Sequence, residues 1–391
     1  MITGVLSGHS SLVYCVALSQ DNSYVVSGDD TGIIVHSTKT GIVKYEYDNV
    51  FVGCGVNGLC CLCYLLNDLG VVACGWNEGR NNGLKVLSPS LGLVQDLEGH
   101  DVWVCCVTVS STNLIASGGC DGKVIIWSES GEGGEWASVQ VLEDHMEAAI
   151  DAVCFSPDGK QLATGSQDEL INLYSFNEGS AILAHTLEGH TDYVKSLSFS
   201  PDCKTLCSGS WDKSIKCWNP ADGSLVKSID QAHTSYVRSV SYSPNGRILV
   251  SAGRDNTMKI WDAETFELKH TFEQEFNTYQ LTMTAESNYI VSGNNDNTVR
   301  IIPCREFTFV PSCLTPILNL ILHIVYKRDY VSFPKHSRWT PTYAHTIRLL
   351  GECVFNGGYD VTSVILSFLS PAHLPIQITP TRWNSQRAIS K

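Results

Sequence analysis

Residues 189–218 read GHTDYVKSLSFSPDCKTLCSGSWDKSIKCW. His190, Ser208 and Asp212 within it are the three residue types of a hydrolase triad. The rest of the chain decides whether they form one, because the stretch recurs. GHDVWVCCVTVSSTNLIASGGCDGKVIIW runs from Gly99 to Trp127, and DHMEAAIDAVCFSPDGKQLATGSQDELINLY from Asp144 to Tyr174. AHTSYVRSVSYSPNGRILVSAGRDNTMKIW runs from Ala232 to Trp261. His100, His145, His190 and His233 are spaced by 45, 45 and 43 residues. In every copy four residues lead from Ser or Thr to Asp, and six from Asp to the closing aromatic. A single triad suits catalysis; four in register are architecture.

Local chemistry agrees with a repeated sheet. VKSLSF, TLCSGS and SIKCW are short, alternating and bounded by turn residues, as half-buried antiparallel strands should be. Ser-Pro-Asp-Gly at 156–159 sets Pro where φ near −65° is wanted and supplies Gly at the end of the turn. With its Gly-His pair, FSPDG turn, SGS-x-D segment and closing Trp, the chain resembles the WD-repeat family of β-propellers over roughly residues 1–303.

That resemblance implies an all-β, seven-bladed ring with four strands per blade. It also implies a role for each polar residue: the Trp218 indole donates to Ser208, Ser208 bonds His190, and His190 meets Asp212. Equivalent tetrads are His100, Ser117, Asp121 and Trp127 in blade 3, and His233, Ser251, Asp255 and Trp261 in blade 6. Such a relay satisfies buried polar groups and clamps the inner strands to the preceding loop.

Other blades depart from the pattern. Blade 1 offers His9, Ser27 and Asp30, with His36 where Trp belongs; blade 4 has Tyr174. Blade 2, about residues 47–97, lacks both His and Asp and is placed from LGVVACGW and GLKVLS. Blade 7 keeps Ser292 and Asp296 but has Gln274 and Ile302 for His and Trp. The last repeat stops at its third strand, NTVRII, while ITGVLSGH at the chain's start is an outer strand without a blade before it. Residues 2–6 are therefore expected to complete blade 7 and close the ring.

Composition sets outer bounds. The chain has 391 residues, 43% of them hydrophobic, and a formal net charge of −14. So acidic a molecule is a poor general binder of nucleic acid, whose phosphates it repels. The longest apolar tract, Cys313–Tyr326, is 14 residues long, against roughly 20 for a membrane-spanning helix. The N-terminus has no basic, then apolar, leader pattern. Sixteen cysteines fall largely in apolar strand-like runs, as Cys15, Cys106, Cys154 and Cys217 do, where a thiol acts as a small hydrophobe. A reduced cytoplasmic chain is expected, with a nuclear one as the second reading. LCCLC at 59–63 reads as an apolar strand rather than a metal hook, and SESGEGGEWAS at 128–138 as a solvated loop. No phosphate loop, dinucleotide fingerprint or zinc-protease motif occurs, so neither cofactor nor metal is expected.

The resemblance points binding to the face that carries the outer-to-inner loops. Three aligned positions per blade reach it. After the first valine of the inner strand stand Tyr14, Cys105, Asp151, Lys195, Arg238 and Tyr279; before it stand Leu12, Trp103, Ala149, Tyr193 and Tyr236. Ahead of the tetrad Asp stand Asp29, Cys120, Gln167, Trp211, Arg254 and Asn295. Lys195, Arg238, Arg254, Trp211, Tyr193 and Tyr236 gather in blades 5 and 6 as a basic, aromatic sector, flanked by Trp103 and Asp151. Tyr, Trp and Arg dominate interface energetics, and Arg forks onto carboxylate or phosphate.

The expected function is a non-catalytic scaffold for proteins or peptides, acidic or phosphorylated ones in particular, within a multiprotein complex. Residues 304–391 are expected to form a small, mostly helical extension with a disordered end. The alternative is a substrate-receptor subunit of a ubiquitin ligase complex that docks through these C-terminal helices. An enzyme is the competing class; Asp151 beside Lys195 is its one spare carboxylate, too little for an active site.

Overall fold

The computed structural model describes residues 4–48, 59–65, 70–75, 83–88, 90, 92–130, 135–177 and 180–304. These residues form seven four-stranded antiparallel sheets and no helix. Blade 5 shows the plan: inner strand Val194–Phe199, then Leu206–Ser210, Ile215–Trp218 and outer strand Leu225–Ile229. Its inner strand carries a bulge after the first residue, between Val194 and Ser196, and those of blades 3 and 4 do the same. An extra unpaired residue there re-aims its side chain. That residue is Lys195 in blade 5, Cys105 in blade 3 and Asp151 in blade 4.

The turns explain the sequence signature. Ser156 Oγ donates to Asp158 Oδ1 at 2.6 Å, the Gly159 amide to Ser156 O at 2.8 Å, and Gly159 has φ +71°. Blade 5 sets Cys203 in the same left-handed conformation, φ +59°, without glycine's freedom. The glycine of SGS has another cause. A Cβ on Gly209 would lie 2.7 Å from Val237 Cγ1, so its absence lets the next blade's leading valine close in. Gly165 receives Val194, and Gly118 receives Ile150, in the same way.

The core is accordingly not one lump but a series of apolar layers between neighbouring blades. One holds Ala163, Leu173, Val194, Leu206 and Trp218; the next holds Cys207, Ile215, Val237, Leu249 and Trp261. The outer strands mix buried and solvent-facing residues, as in Ser180–Leu187, where Ala181 and Leu187 turn inward.

Closure occurs as expected. Gly4–Leu6 pairs antiparallel with Val299–Pro303, Leu6 opposite Val299, and becomes the outer strand of the blade that starts at Thr278–Met283. Blade 2 forms too, with strands Leu59–Tyr64, Val71–Gly75, Leu84–Leu87 and Leu93–Asp96; LCCLC lies in its inner strand. It begins later than expected, because Tyr47 belongs to the outer strand of blade 1, Val43–Asp48. Three further expectations change. Cys207 and Cys217 face each other across adjacent strands, Cα atoms 4.2 Å apart, and are joined in a disulfide, so Cys217 is not a free thiol. The acidic stretch 128–138 is mostly strand: Val124–Ser130 and Glu135–Leu142 consume its ends, and Trp136 is buried. The blade-1 tetrad changes its acid, as described below. The helices expected beyond residue 304 lie outside the described residues.

Candidate functional site

The polar residues of the opening stretch form a continuous relay. Trp218 Nε1–H donates to Ser208 Oγ at 3.0 Å, and Ser208 Oγ lies 2.7 Å from His190 Nε2. His190 Nδ1 lies 2.6 Å from Asp212 Oδ2. Blade 3 repeats this with Trp127, Ser117, His100 and Asp121 at 2.9, 2.8 and 3.0 Å. Blade 6 repeats it with Trp261, Ser251, His233 and Asp255 at 2.9, 2.8 and 3.0 Å. Burial alone would raise the Asp212 pKa. The hydrogen bond from His190, that ring's charge, and the Ser214 hydroxyl and amide override it and hold the carboxyl well below its usual range. Ser208 is wholly buried, and its hydroxyl is taken up by Trp218 and His190.

Three blades modify the relay. In blade 4, Thr164 and Asp168 flank His145 at 2.7 and 2.8 Å, but the Tyr174 hydroxyl leaves the chain and donates to Asp144 at 3.0 Å. In blade 1 the acid is Asp29 and not Asp30: His9 lies 2.7 Å from Ser27 Oγ and 3.1 Å from Asp29 Oδ2. The connection between the second and third strands spans only residues 29–31 there, against 211–214 in blade 5, so its first residue delivers the carboxylate. Asp30 instead accepts from Ser11 Oγ at 2.6 Å. In blade 7, Arg300 takes over the Asp, donating to Asp296 Oδ2 at 2.6 Å while its guanidinium lies 4.0 Å over the Phe276 ring. Ser292 Oγ is then left buried without a partner.

A cavity of about 550 Å³ opens at the ring's centre on the face that carries the tetrad loops. Its wall includes Tyr14, Trp103, Cys105, Cys120, Asp151, Lys195, Trp211, Tyr236, Arg238, Arg254 and Tyr279. Two aligned positions meet in blades 3, 4 and 5, the bulge residue and the one ahead of the tetrad Asp. The backbone of the latter is fixed by its amide, as Trp211 N donates to Tyr193 O at 3.0 Å. In blade 4 the Gln167 side-chain Nε2–H donates to Asp151 Oδ2 at 3.1 Å; in blade 5 Lys195 Nζ lies 5.6 Å over the Trp211 ring.

The aromatic sector is continuous. Tyr193 and Trp211 have ring centroids 4.9 Å apart, and Trp211 stacks on Tyr236 at 4.8 Å with 13° between planes. Arg254 caps Tyr236 at 5.8 Å. The cations are unequal. Lys195 is bound to the buried Asp151 carboxylate at 2.7 Å. Arg238 lies half-buried over Tyr279 at 4.1 Å, and burial lowers its pKa. Arg254 is exposed and, among the described residues, has no carboxylate partner. Trp103, 48% exposed, stands in blade 3 beside the exposed Val102. Tyr14 and Tyr279 meet edge-on at 5.0 Å and extend the sector towards blade 1. Both tyrosines stand at the aligned position that Lys195 and Arg238 hold in blades 5 and 6, where an uncharged ring carries no electrostatic signal in the sequence.

Seven four-stranded sheets in a ring, fastened by Trp–Ser–His–Asp relays, define a WD-repeat β-propeller. The chain belongs to that family: the model for "WD domain, G-beta repeat" matches residues 2–37, 91–128, 136–175, 182–219 and 223–262. The protein transport protein SEC13-2 of Candida glabrata is 34% identical over 118 residues, covering 28% of this chain and 38% of that protein. The probable cytosolic iron-sulfur protein assembly protein CIAO1 homolog of Caenorhabditis elegans is 33% identical over 97 residues, covering 24% of this chain and 28% of that protein. The small ribosomal subunit protein RACK1 of Neurospora crassa is 35% identical over 86 residues, covering 21% of this chain and 25% of that protein. The chain thus spans less than half the length of these curated relatives.

Proposed function

We propose that this protein is a non-catalytic binding platform whose top face grips a peptide carrying acidic or phosphorylated side chains. The observation that carries the reading is Arg254: an exposed guanidinium, unpaired with any described carboxylate, at the end of the Tyr193–Trp211–Tyr236 stack. A guanidinium forks onto carboxylate or phosphate oxygens, and rigid aromatic faces supply contact area at little entropic cost. Arg238 adds a second positive charge to the cavity wall, whereas Lys195 serves mainly to neutralise Asp151. Transport, iron-sulfur assembly and the ribosome, the settings in its relatives' names, share no reaction, which suits a fold used to hold partners.

Fluorescence anisotropy against a panel of acidic and phosphoserine peptides tests this. A charge-assisted contact is worth about 1.5–3 kcal/mol, so Arg254→Glu should weaken the best peptide roughly tenfold or more. Adding Arg238→Glu should abolish binding. Arg254→Glu should leave the melting temperature unchanged, since the residue supports no buried partner. Undiminished affinity in that variant would place recognition elsewhere.

A further inference from the structure

We propose that Cys105 and Cys120 form a peroxide-oxidisable thiol pair, a modification site built into the rim of the top-face cavity. The repeat itself creates it. Cys105 is the bulged residue of blade 3, and Cys120 is the residue ahead of its tetrad Asp121. Blade 4 fills the same two meeting positions with Asp151 and Gln167, and blade 5 with Lys195 and Trp211; blade 3 alone among these sets two cysteines there. Their sulfurs stand 3.0 Å apart, and the Cys120 amide is tied to Trp103 O at 2.8 Å. Disulfide bonding needs a sulfur separation of about 2.05 Å, so closure asks for about an ångström of side-chain movement. Both residues are partly exposed and line the cavity, which gives a small oxidant access.

Burial protects four of the other thiols, whereas Cys61, hydrogen-bonded to Cys74, has its pKa lowered as Cys120 does and is the competitor that the test must separate. Burial pushes Cys63 and Cys304 up to about 12 and Cys154 up to about 11, and raises Cys106 well above the ordinary thiol value. These four stay protonated and inert near neutral pH. The hydrogen bond from Cys105 acts the other way and lowers the Cys120 pKa. The Cys120 thiolate attacks one oxygen of hydrogen peroxide, whose O–O bond breaks; Cys120 becomes a sulfenic acid and hydroxide leaves, taking a proton to become water. Cys105 sulfur then attacks Cys120 sulfur, the S–OH bond breaks, and the thiol proton leaves with hydroxide as a second water. The two thiols lose two electrons to the peroxide, which is the oxidant consumed.

The test uses the full chain and reads thiols alone, so it stands apart from the peptide reading. Protein is exposed to hydrogen peroxide and then unfolded in denaturant, where remaining thiols are blocked with N-ethylmaleimide, and disulfides are then reduced and labelled with iodoacetamide. Cys105, Cys106 and Cys120 share one tryptic peptide, and fragment spectra assign each label. Cys105 and Cys120 should lose maleimide together and gain iodoacetamide together, while Cys106, Cys63 and Cys154 keep maleimide. In Cys120→Ser, Cys105 should gain no iodoacetamide. Three results would overturn the proposal. They are both thiols persisting while buried ones react, separate conversion to sulfinic acids, or prior cross-linking of Cys61 to Cys74, which face each other in blade 2.

Discussion

At the scale of single residues, the His–Asp contacts make stability depend on pH in two windows. Asp212, Asp255 and Asp29 all have their pKa values depressed in the fold: burial opposes this, and the histidine and hydroxyl partners prevail. A depressed carboxylate contributes stability above the unfolded value of about 4, which is lost as pH falls towards the folded value. His233 is lowered by burial, so it binds a proton more readily unfolded, and stability declines as pH falls through about 6.5. Urea midpoints measured between pH 7.5 and 3 should therefore fall in two steps. Asp212→Asn should be less stable than the native chain by about 1–3 kcal/mol at pH 7. That gap should narrow below about pH 4, where the native carboxylate begins to lose its advantage over the unfolded one. A constant gap would mean that Asp212 acts by shape and not by charge. The residue types were legible because their spacing repeats. The blade-1 acid was not, because one missing residue in a turn moves the carboxylate without changing the composition around it.

At the scale of a blade, the same substitution should have opposite meanings in two places. Ser208 accepts from an indole and bonds a buried imidazole, so Ser208→Ala strands both and should cost about 1–3 kcal/mol. Ser292 occupies the matching position in blade 7, opposite Arg300, but its hydroxyl is buried with no partner. Removing an unsatisfied polar atom relieves its desolvation, so Ser292→Ala should be neutral or stabilising by up to about 1 kcal/mol. Parallel denaturation curves decide this; equal losses would show that the relay contributes little beyond packing. Strand alternation and turn chemistry revealed the blades even where the relay had decayed, because a sheet needs only a buried face and a pairing partner. What alternation could not reveal was the Arg300 replacement. Nothing in Gln274 or Ile302 indicates that a guanidinium on the third strand would take up Asp296.

At the scale of the whole ring, the join that departs from chain order is the one between the ends. Every other blade follows chain order from inner to outer strand, but blade 7 takes its outer strand, Gly4–Leu6, from the far end of the ring's sequence. This was readable in advance from a terminal repeat lacking its fourth strand and a leading strand lacking its blade. The cavity's chemistry was less so, since the pairing of Lys195 with Asp151 depends on which side chains the bulges turn towards each other. Leu6 is buried in one cluster with Val13, Val16, Val299 and Ile301, between blade 7 and blade 1. Truncating such a leucine to alanine costs about 2–5 kcal/mol. Leu6→Ala should accordingly lower the melting temperature by several degrees. Deleting residues 1–7 should lower it further, because it also exposes Val299–Pro303 as an unpaired edge, which invites aggregation. Val5→Ser provides the contrast: its side chain is 52% exposed on the same strand, and its change should be nearly silent. Differential scanning calorimetry with light scattering would measure all three. An unaltered transition on deletion would show that the ring holds without its two ends being joined.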